Sequence, residues 1–305
     1  MDRREMLMSM FDPAGLGLEI GPGYNPLIPK SSGLPIETVD HASAAELREK
    51  WKDDSRVDIT KVEEVDYISR GGSIADAVGK PGHYDYLIAS HVIEHTTDIL
   101  GFLRDCETLL KPDGALVLAI PDKRRCFDVF RPRSSTGDVL QAHLERRARH
   151  TPGEVFDYYA HYALRDGVIA WAAGHDGELT FEYDLETARQ RYEEARKSQE
   201  YMDVHAWCFT GSSFRLVISD LNALGELGLR ERAYAEAPGI EFYISLSRQG
   251  SGCPYDRLTL AKLGIIDQYE VLAEPVGLAA RSPETTEERL RRLEAITGHL
   301  AAATP

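Results

Sequence analysis

Short apolar runs alternate with longer amphipathic segments over the first 120 residues, and this alternation constrains the fold more than any other feature. Strands that alternate with helices indicate a parallel sheet with helices on both faces. A helix is predicted over 99–110, because its leucines recur at helical spacing before the breaker Lys111-Pro112-Asp113-Gly114. The other predicted helices are 43–51 and 74–78, and the predicted strands are 16–21, 36–41, 62–68, 84–90 and 115–120.

The pattern changes after the fifth predicted strand. From about 122 to 210 the strand signal is weak, and we interpret this part as a largely helical insertion that covers the substrate site. One face of a helix within it is marked by Leu185, Ala188, Tyr192, Ala195 and Met202. The α/β pattern resumes with a helix over 212–227. Two strands follow, 229–235 and 240–247, and the turn between them should pair them antiparallel.

The last part of the chain, 250–305, is interpreted as a C-terminal extension. It contains a predicted helix over 284–301 with an apolar face formed by Leu290, Leu293, Ile296 and Leu300. This helix could dock on its own domain or contact a second copy in a homodimer, and docking is the simpler interpretation. The sequence leaves the oligomeric state open.

Charge and composition exclude several classes of protein. The net charge of −15 argues against a nucleic-acid partner, because phosphate backbones require clustered Lys and Arg. No apolar run approaches the roughly 18 to 20 residues that span a bilayer, so no membrane association is expected. The four cysteines form no CxxC pair, which predicts reduced thiols and a cytoplasmic location. No metal ligand is assigned, although Asp122, Asp128 and His205 could meet.

The stretch 15–26, GLGLEIGPGYNP, places the carboxylate of Glu19 beside a bare glycine turn. A strand that ends in glycines brings backbone close to a ligand at the carboxyl edge of the sheet. Asp40 ends the second predicted strand, at a distance typical of an acid that binds ribose hydroxyls. Together they predict an adenosine site. Glu19 could instead cap a helix, and Asp40 could be an N-cap, a role that Ser43 could also fill.

The choice of adenosine cofactor depends on two residues. Pro26 stands where the dinucleotide fingerprint has its third glycine, which counts against NAD or FAD. The carboxylate of Glu19 would repel a pyrophosphate but suits a cationic ligand. S-adenosylmethionine carries a sulfonium and an ammonium group, so it fits better. An NAD-dependent oxidoreductase of the Rossmann type is therefore the weaker alternative.

Several motifs together resemble the class I S-adenosylmethionine-dependent methyltransferases with an S-x-V-x-E-H signature. They are LEIGPG, VDH at 39–41, YDYLIASHVIEH at 84–95 and LLKPDGALVLAIPD at 109–122. The resemblance implies an α/β fold with a Rossmann-like seven-stranded sheet whose last strand is antiparallel, and a cofactor-binding core over 1–121 and 211–249. IPDKRRCFDVFRP and DVHAWCFTGSSF resemble a bacterial subgroup associated with polysaccharide and glycosyl-transfer systems, which suggests a sugar or glycan substrate.

The same likeness assigns roles to the residues that would hold the cofactor. It places Glu19, Gly21 and Gly23 along the methionine part, Asp40 at the ribose, His41 beside the adenine, and Ser90 and His91 on the sulfonium side. Asn25 departs from the family pattern, which predicts a wider turn. Asp58 and Asp66 compete for the role of the adenine-binding acid.

The candidate catalytic bases are His205 first and His95 second, because a neutral imidazole can take the proton of a substrate hydroxyl. Both could instead be packed structural residues. Lys123, Arg124 and Arg125 follow the fifth strand, where they could grip an anionic substrate, whereas Arg146, Arg147 and Arg149 are interpreted as a solvated helix face. The predicted reaction is O-methylation of a sugar or another polar small molecule. A non-catalytic partner subunit with the same fold is the other alternative.

Overall fold

A seven-stranded sheet lies at the centre of the computed structural model, which describes residues 2–236, 239–273 and 291. Its strands are β1 (Gly17–Ile20), β2 (Ile36–Asp40), β3 (Tyr67–Ile68), β4 (Tyr84–Ser90), β5 (Leu110–Pro121), β8 (Arg230–Glu236) and β9 (Glu241–Ser247); β6 (Ala163–Arg165) and β7 (Leu179–Phe181) form a separate pair. The order in the sheet is β3-β2-β1-β4-β5-β9-β8. The strands from β3 to β5 are parallel, and β9 is antiparallel to both β5 and β8. The predicted fold class is confirmed.

Nine helices of four residues or more lie within the described ranges. They are α1 (Arg3–Met8), α2 (Ala44–Trp51), α3 (Ile74–Val78), α4 (Ile99–Leu109), α5 (Thr136–Leu144), α6 (Pro152–Ala160), α7 (Leu185–Lys197), α8 (Gly211–Ala223) and α9 (Arg257–Ala273). The predicted helices of the core match α2, α3, α4 and α8 within a few residues. Ser43 begins α2 with a reciprocal capping box to Glu46, so Ser43 and not Asp40 is the N-cap.

Two strands of the core differ from their predicted extents. β5 begins at Leu110, directly after α4, because Leu110 pairs with Tyr84 and a register shift between Tyr84 and Tyr86 absorbs the segment predicted as a breaker. β3 has only two residues. Before it, the Asp66 side chain accepts a hydrogen bond from the Thr38 backbone N–H at 2.8 Å, while the Asp66 backbone N–H donates to the Thr38 carbonyl at 3.2 Å.

The insertion, predicted as largely helical, contains the three α-helices α5, α6 and α7, long irregular stretches and the antiparallel pair β6 and β7. The sequence pattern missed these strands because each has only three residues. The predicted face of α7 is partly wrong. Ala188 and Ala195 are buried, whereas Leu185 is 69% exposed and Met202 lies beyond the end of the helix.

Apolar side chains cover both faces of the central sheet, so β4 and β5 are buried along most of their length. The C-terminal helix α9 packs against α8 and buries Leu260 and Leu263. The helix predicted over 284–301 lies outside the described residues apart from position 291. Within the described residues, every helix is too short or too polar to cross a bilayer.

Candidate active site

The carboxyl ends of β1, β2 and β4 open into a cleft of about 1940 Å³. All seven residues predicted to bind the cofactor line this cleft: Glu19, Gly21, Gly23, Asp40, His41, Ser90 and His91. They come together because strands that run parallel deliver their following loops to one edge of the sheet. The cleft exceeds the few hundred to about 1,000 Å³ that usually holds one small ligand, so it has room for a cofactor and an acceptor.

The turn after β1 requires its glycines. Gly21 and Gly23 have φ angles of 65° and 53°, in the left-handed region that residues with a Cβ rarely adopt. A Cβ on Gly21 would lie 2.8 Å from Cγ2 of Val92, a residue that follows β4. The backbone of the turn therefore lies against the loop after β4, at the point where a ligand would meet both.

Glu19 is 2% exposed, and its carboxylate lies beneath this turn. Its two oxygens accept hydrogen bonds from the backbone N–H groups of Leu27 at 2.7 Å and Ile28 at 3.0 Å. Burial raises the pKa of Glu19 to about 7, and these hydrogen bonds only partly offset that effect. Glu19 thus holds the segment after the glycine turn and does not cap a helix.

Asp40 ties the end of β2 to the glycine turn. Its Oδ2 accepts a hydrogen bond from the backbone N–H of Gly23 at 3.1 Å. Its Oδ1 accepts one from the backbone N–H of His41 at 2.7 Å and lies 2.6 Å from Nδ1 of the His41 ring. The carboxylate is 4% exposed and borders the cleft, which is the position expected of a group that binds ribose hydroxyls.

His91 lies at the other side of the cleft, between two carboxylates. Its Nε2 is 2.8 Å from Glu241, and its Nδ1 is 3.4 Å from Glu94. Burial lowers the pKa of His91, but the contacts with Glu241 and Glu94 outweigh burial and raise it to about 9. Arg3 of α1 bridges Glu241 and the hydroxyl of Ser90.

Sequence reasoning missed Arg3 and Glu241. The signal for Glu241 was present, because it is a carboxylate within an otherwise apolar strand pattern, as Glu19 is. No pattern in the sequence points to Arg3, because only the docking of α1 brings it to the cleft.

His95 and His205, the predicted catalytic residues, lie together with their ring centres 4.6 Å apart. Each ring is held by an aspartate: Nδ1 of His95 is 2.8 Å from Asp203, and Nδ1 of His205 is 2.6 Å from Asp128. His95 lines the cleft, whereas His205 is 7% exposed and lies behind the cleft lining. Burial lowers the pKa of His95, but Asp203 and Glu94 outweigh it, so that pKa is raised.

The three basic residues predicted to grip substrate do not line the cleft. Lys123 is 1% exposed, and its ammonium donates to the carbonyl of Val129 at 2.8 Å. Arg124 is buried against Asp122 and Asp267, and Arg125 donates to the carbonyl of Gly239 at 3.0 Å. The chain turns inward after β5 into a short 3-10 helix that α9 contacts, so these side chains hold loops together.

The cleft has basic residues that the sequence analysis placed in solvent. Arg146 and Arg147 both line it. Arg147 is held by Glu145 and Glu154, whereas Arg146 is exposed, has a φ of 50°, and forms no ion pair within the described part of the chain. The basic residues at the candidate substrate site are therefore Arg146 and Arg147, and not those of 123–125.

Neither candidate for the adenine-binding acid lines the cleft. Asp58 caps the 3-10 helix Ile59–Lys61, and Asp66 binds Thr38 and Lys30. The loop that follows β3 at this end of the cleft is Ser69-Arg70-Gly71-Gly72-Ser73, in which Arg70 pairs with Glu46.

Comparison with known proteins identifies one sequence family. The sequence profile of a family described as "Methyltransferase domain" matches residues 4–171, which is more than half of the chain. A comparison with curated protein sequences gives no significant match.

Solved structures with a similar fold have low sequence identity. CalH, a trans-methyltransferase in complex with SAH, is 15% identical, with a TM-score of 0.38 over 80% of this chain and 54% of that chain. A Rhodobacter sphaeroides protein described as a Zn-dependent alcohol dehydrogenase is 15% identical, with a TM-score of 0.43 over 82% of this chain and 91% of that chain. An S-adenosylmethionine-dependent methyltransferase from Mesorhizobium loti is 12% identical, with a TM-score of 0.40 over 79% of this chain and 95% of that chain.

This chain spans little more than half of the length of CalH. Because all three TM-scores lie below 0.5, the assignment rests on the family match.

Proposed function

This chain belongs to the methyltransferase-domain family, and we propose that it transfers a methyl group to a hydroxyl of a sugar, a glycan or another polar, anionic small molecule. We propose S-adenosylmethionine as the methyl donor as well as the class of the acceptor. The observation that carries the proposal is the pair of imidazoles, His95 and His205, each with Nδ1 held by an aspartate. Methyl transfer to oxygen requires removal of a hydroxyl proton, and such an imidazole can accept one at Nε2.

The residues of the cleft fit the cofactor of this family. The glycine turn leaves backbone bare, Asp40 offers carboxylate oxygens at the end of β2, and Glu19 holds the segment after the turn in place. These groups would hold the amino-acid and ribose parts, and the cofactor supplies an activated methyl group when it is bound. The loop after β4, with Ser90 and His91, would face the reacting end.

One feature supports a polar, anionic acceptor. Arg146 lines the cleft, is exposed, and forms no ion pair with any residue that the structure describes. A guanidinium suits a phosphate or carboxylate, because it can donate two parallel hydrogen bonds to such a group.

The proposed reaction needs little covalent help from the protein. The acceptor hydroxyl gives its proton to an imidazole Nε2, and its oxygen bonds to the methyl carbon. The carbon–sulfur bond breaks, and its electron pair stays on sulfur. Positioning and exclusion of water should supply most of the rate. The insertion contributes Arg146, Tyr201 and Asp203 to the cleft lining, and we propose that it excludes water. We also propose a cytoplasmic location, since all four cysteines are free thiols.

The test is a screen of neutral sugars, sugar phosphates and nucleotide sugars with labelled S-adenosylmethionine, read by the mass of the product. We expect methyl transfer to a hydroxyl, and we expect His205→Gln to lower turnover by about 10²- to 10⁴-fold with cofactor affinity unchanged. His175→Gln is the matched control, because His175 forms an exposed pair with Asp166 outside the site. If cofactor binds but no acceptor yields S-adenosylhomocysteine, the chain is a non-catalytic partner subunit.

A further inference from the structure

We propose that Glu94, His95 and His205 bind a divalent transition-metal cation at the wall of the cleft. One donor atom from each of these three residues lies within 4.8 Å of the other two. Nε2 of His205 is 4.0 Å from Oε1 of Glu94. A cation about 2.0 to 2.2 Å from each ligand would draw the three side chains together by about 1 Å.

Glu94 is a buried carboxylate without the hydrogen bonds that its burial requires. The residue is 1% exposed, and neither carboxylate oxygen accepts a hydrogen bond from any described residue. The closest basic group is Nδ1 of His91, 3.4 Å from Oε1 and outside hydrogen-bond geometry. A buried ionised carboxylate is costly unless a cation or donors satisfy it. A metal ion between Glu94 and the two histidines would supply that partner.

The two histidines are oriented as metal ligands usually are. Asp203 holds Nδ1 of His95, and Asp128 holds Nδ1 of His205, which leaves Nε2 of each ring free to coordinate. Carboxylates on the second ring nitrogen of ligating histidines fix the tautomer and the ring orientation. Asp128 is itself fixed by Arg131 at 2.8 Å.

Backbone contacts hold the cluster in place. Glu94 and His95 belong to the 3-10 helix Ile93–His95, which follows β4. The carbonyl of Glu94 accepts a hydrogen bond from the N–H of Ala206 at 2.9 Å, directly after His205. The ligands come from two distant parts of the sequence, and this hydrogen bond joins those parts.

The ligand set indicates which cations would bind. Two imidazole nitrogens and one carboxylate favour Zn²⁺, Mn²⁺, Fe²⁺ or Co²⁺ over Ca²⁺, which prefers oxygen ligands alone. Three protein ligands leave at least one position open, as in catalytic zinc sites. The His95 side chain is about one-third exposed and lines the cleft, so the open position is accessible from there.

The role of this cation rests on the proposed function. With both Nε2 atoms coordinated, the histidines could not take the acceptor's proton directly. The acceptor hydroxyl would instead bind at the open position, where the cation lowers its pKa and the proton leaves to water in the cleft. A metal site would therefore replace direct base catalysis by the imidazoles.

The test is metal binding by the full chain after chelation, measured by calorimetry with Zn²⁺ and Mn²⁺ and by the visible absorption of added Co²⁺. We expect one equivalent per chain. Asp128→Asn should weaken binding by about 10- to 100-fold, and Glu94→Gln should weaken it further, because it removes a ligand. His175→Gln should bind as the wild type does, since its His–Asp pair lies outside the cluster.

The outcomes separate this inference from the proposed function. The wild-type Co²⁺ spectrum reports imidazole ligation even if Glu94→Gln fails to fold. Absence of saturable binding in the wild type, or equal binding by wild type and Glu94→Gln, would overturn the metal site. Full methyl transfer by the chelated protein would overturn the role of the cation in the reaction and leave the proposed function intact. One bound metal with no methyl transfer to any acceptor would retain the site and reject the proposed function.

Discussion

Glu19 is buried enough for its protonation to affect folding near neutral pH. Burial raises its pKa to about 7, although two backbone N–H groups contact the carboxylate. In the unfolded chain a glutamate has a pKa near 4.3. Between these values the folded protein binds a proton that the unfolded chain has already lost. Stability from this residue is complete below the unfolded pKa and is lost as the pH rises through about 7.

We therefore expect the free energy of unfolding of the wild type to fall relative to that of Glu19→Gln between pH 4.5 and 8. The difference should change by at most about 3 kcal/mol, since one pKa unit corresponds to about 1.4 kcal/mol. Urea unfolding at several pH values measures it. Glutamine has one acceptor oxygen instead of two, so Leu27 or Ile28 loses a hydrogen bond in the variant. That loss lowers the stability of the variant by the same amount at every pH, so the pH dependence of the difference is unchanged. Curves that stay parallel would contradict the assignment.

Sequence reasoning predicted which residues line the cleft better for the candidate cofactor side than for the candidate substrate side, and burial explains the difference. Gly21, Asp40 and Ser90 sit where predicted strands end, so their convergence follows from a parallel sheet alone. Lys123 and Arg146 are both basic residues within a basic stretch of sequence, yet Lys123 is buried and Arg146 lines the cleft. Only the path of the insertion decides between them, and no local pattern encodes that path.

At the scale of elements, the glycine turn combines a backbone requirement with a close contact. Gly21 and Gly33 both have left-handed backbone, with φ angles of 65° and 77°. A Cβ on Gly21 would lie 2.8 Å from Val92, whereas one on Gly33 would meet no heavy atom within 4 Å. The two positions separate the cost of backbone conformation from the cost of crowding at the cleft.

Both Gly21→Ala and Gly33→Ala should lose about 1 to 2 kcal/mol of stability from the left-handed backbone. Gly21→Ala should lose more, because Val92 must move, and it should also bind S-adenosylmethionine more weakly. Gly33→Ala should retain the affinity of the wild type. Chemical denaturation and calorimetry with the cofactor give both quantities. Equal cofactor affinity in the two variants would show that the turn does not contact the cofactor.

The predicted elements were accurate where a periodic pattern was long enough. α4 and β4 match within one residue, because each buries an apolar stripe against the central core. β6 and β7 were missed and β3 was predicted too long, since strands of two or three residues exist only through their partners. Such strands carry too few residues to show a period of two.

At the scale of the whole molecule, the described part of the C-terminal extension packs on the core that contains the central sheet. α9 packs against α8, and its Asp267 is fully buried near Arg124. Arg124 lies in the short 3-10 helix that follows β5, and α9 packs directly against this helix. We infer that the core and α9 unfold together.

This inference predicts a contrast between two leucines of α9. Leu260→Ala should lower the free energy of unfolding by about 2 to 5 kcal/mol, because Leu260 is fully buried. Leu258→Ala should change it by less than about 0.5 kcal/mol, since Leu258 is 65% exposed. Urea unfolding followed by both far-ultraviolet circular dichroism and tryptophan fluorescence would give coincident transitions if core and α9 are one cooperative unit. A separate early transition for Leu260→Ala, with cofactor binding intact after it, would make α9 an appendage that the site does not require.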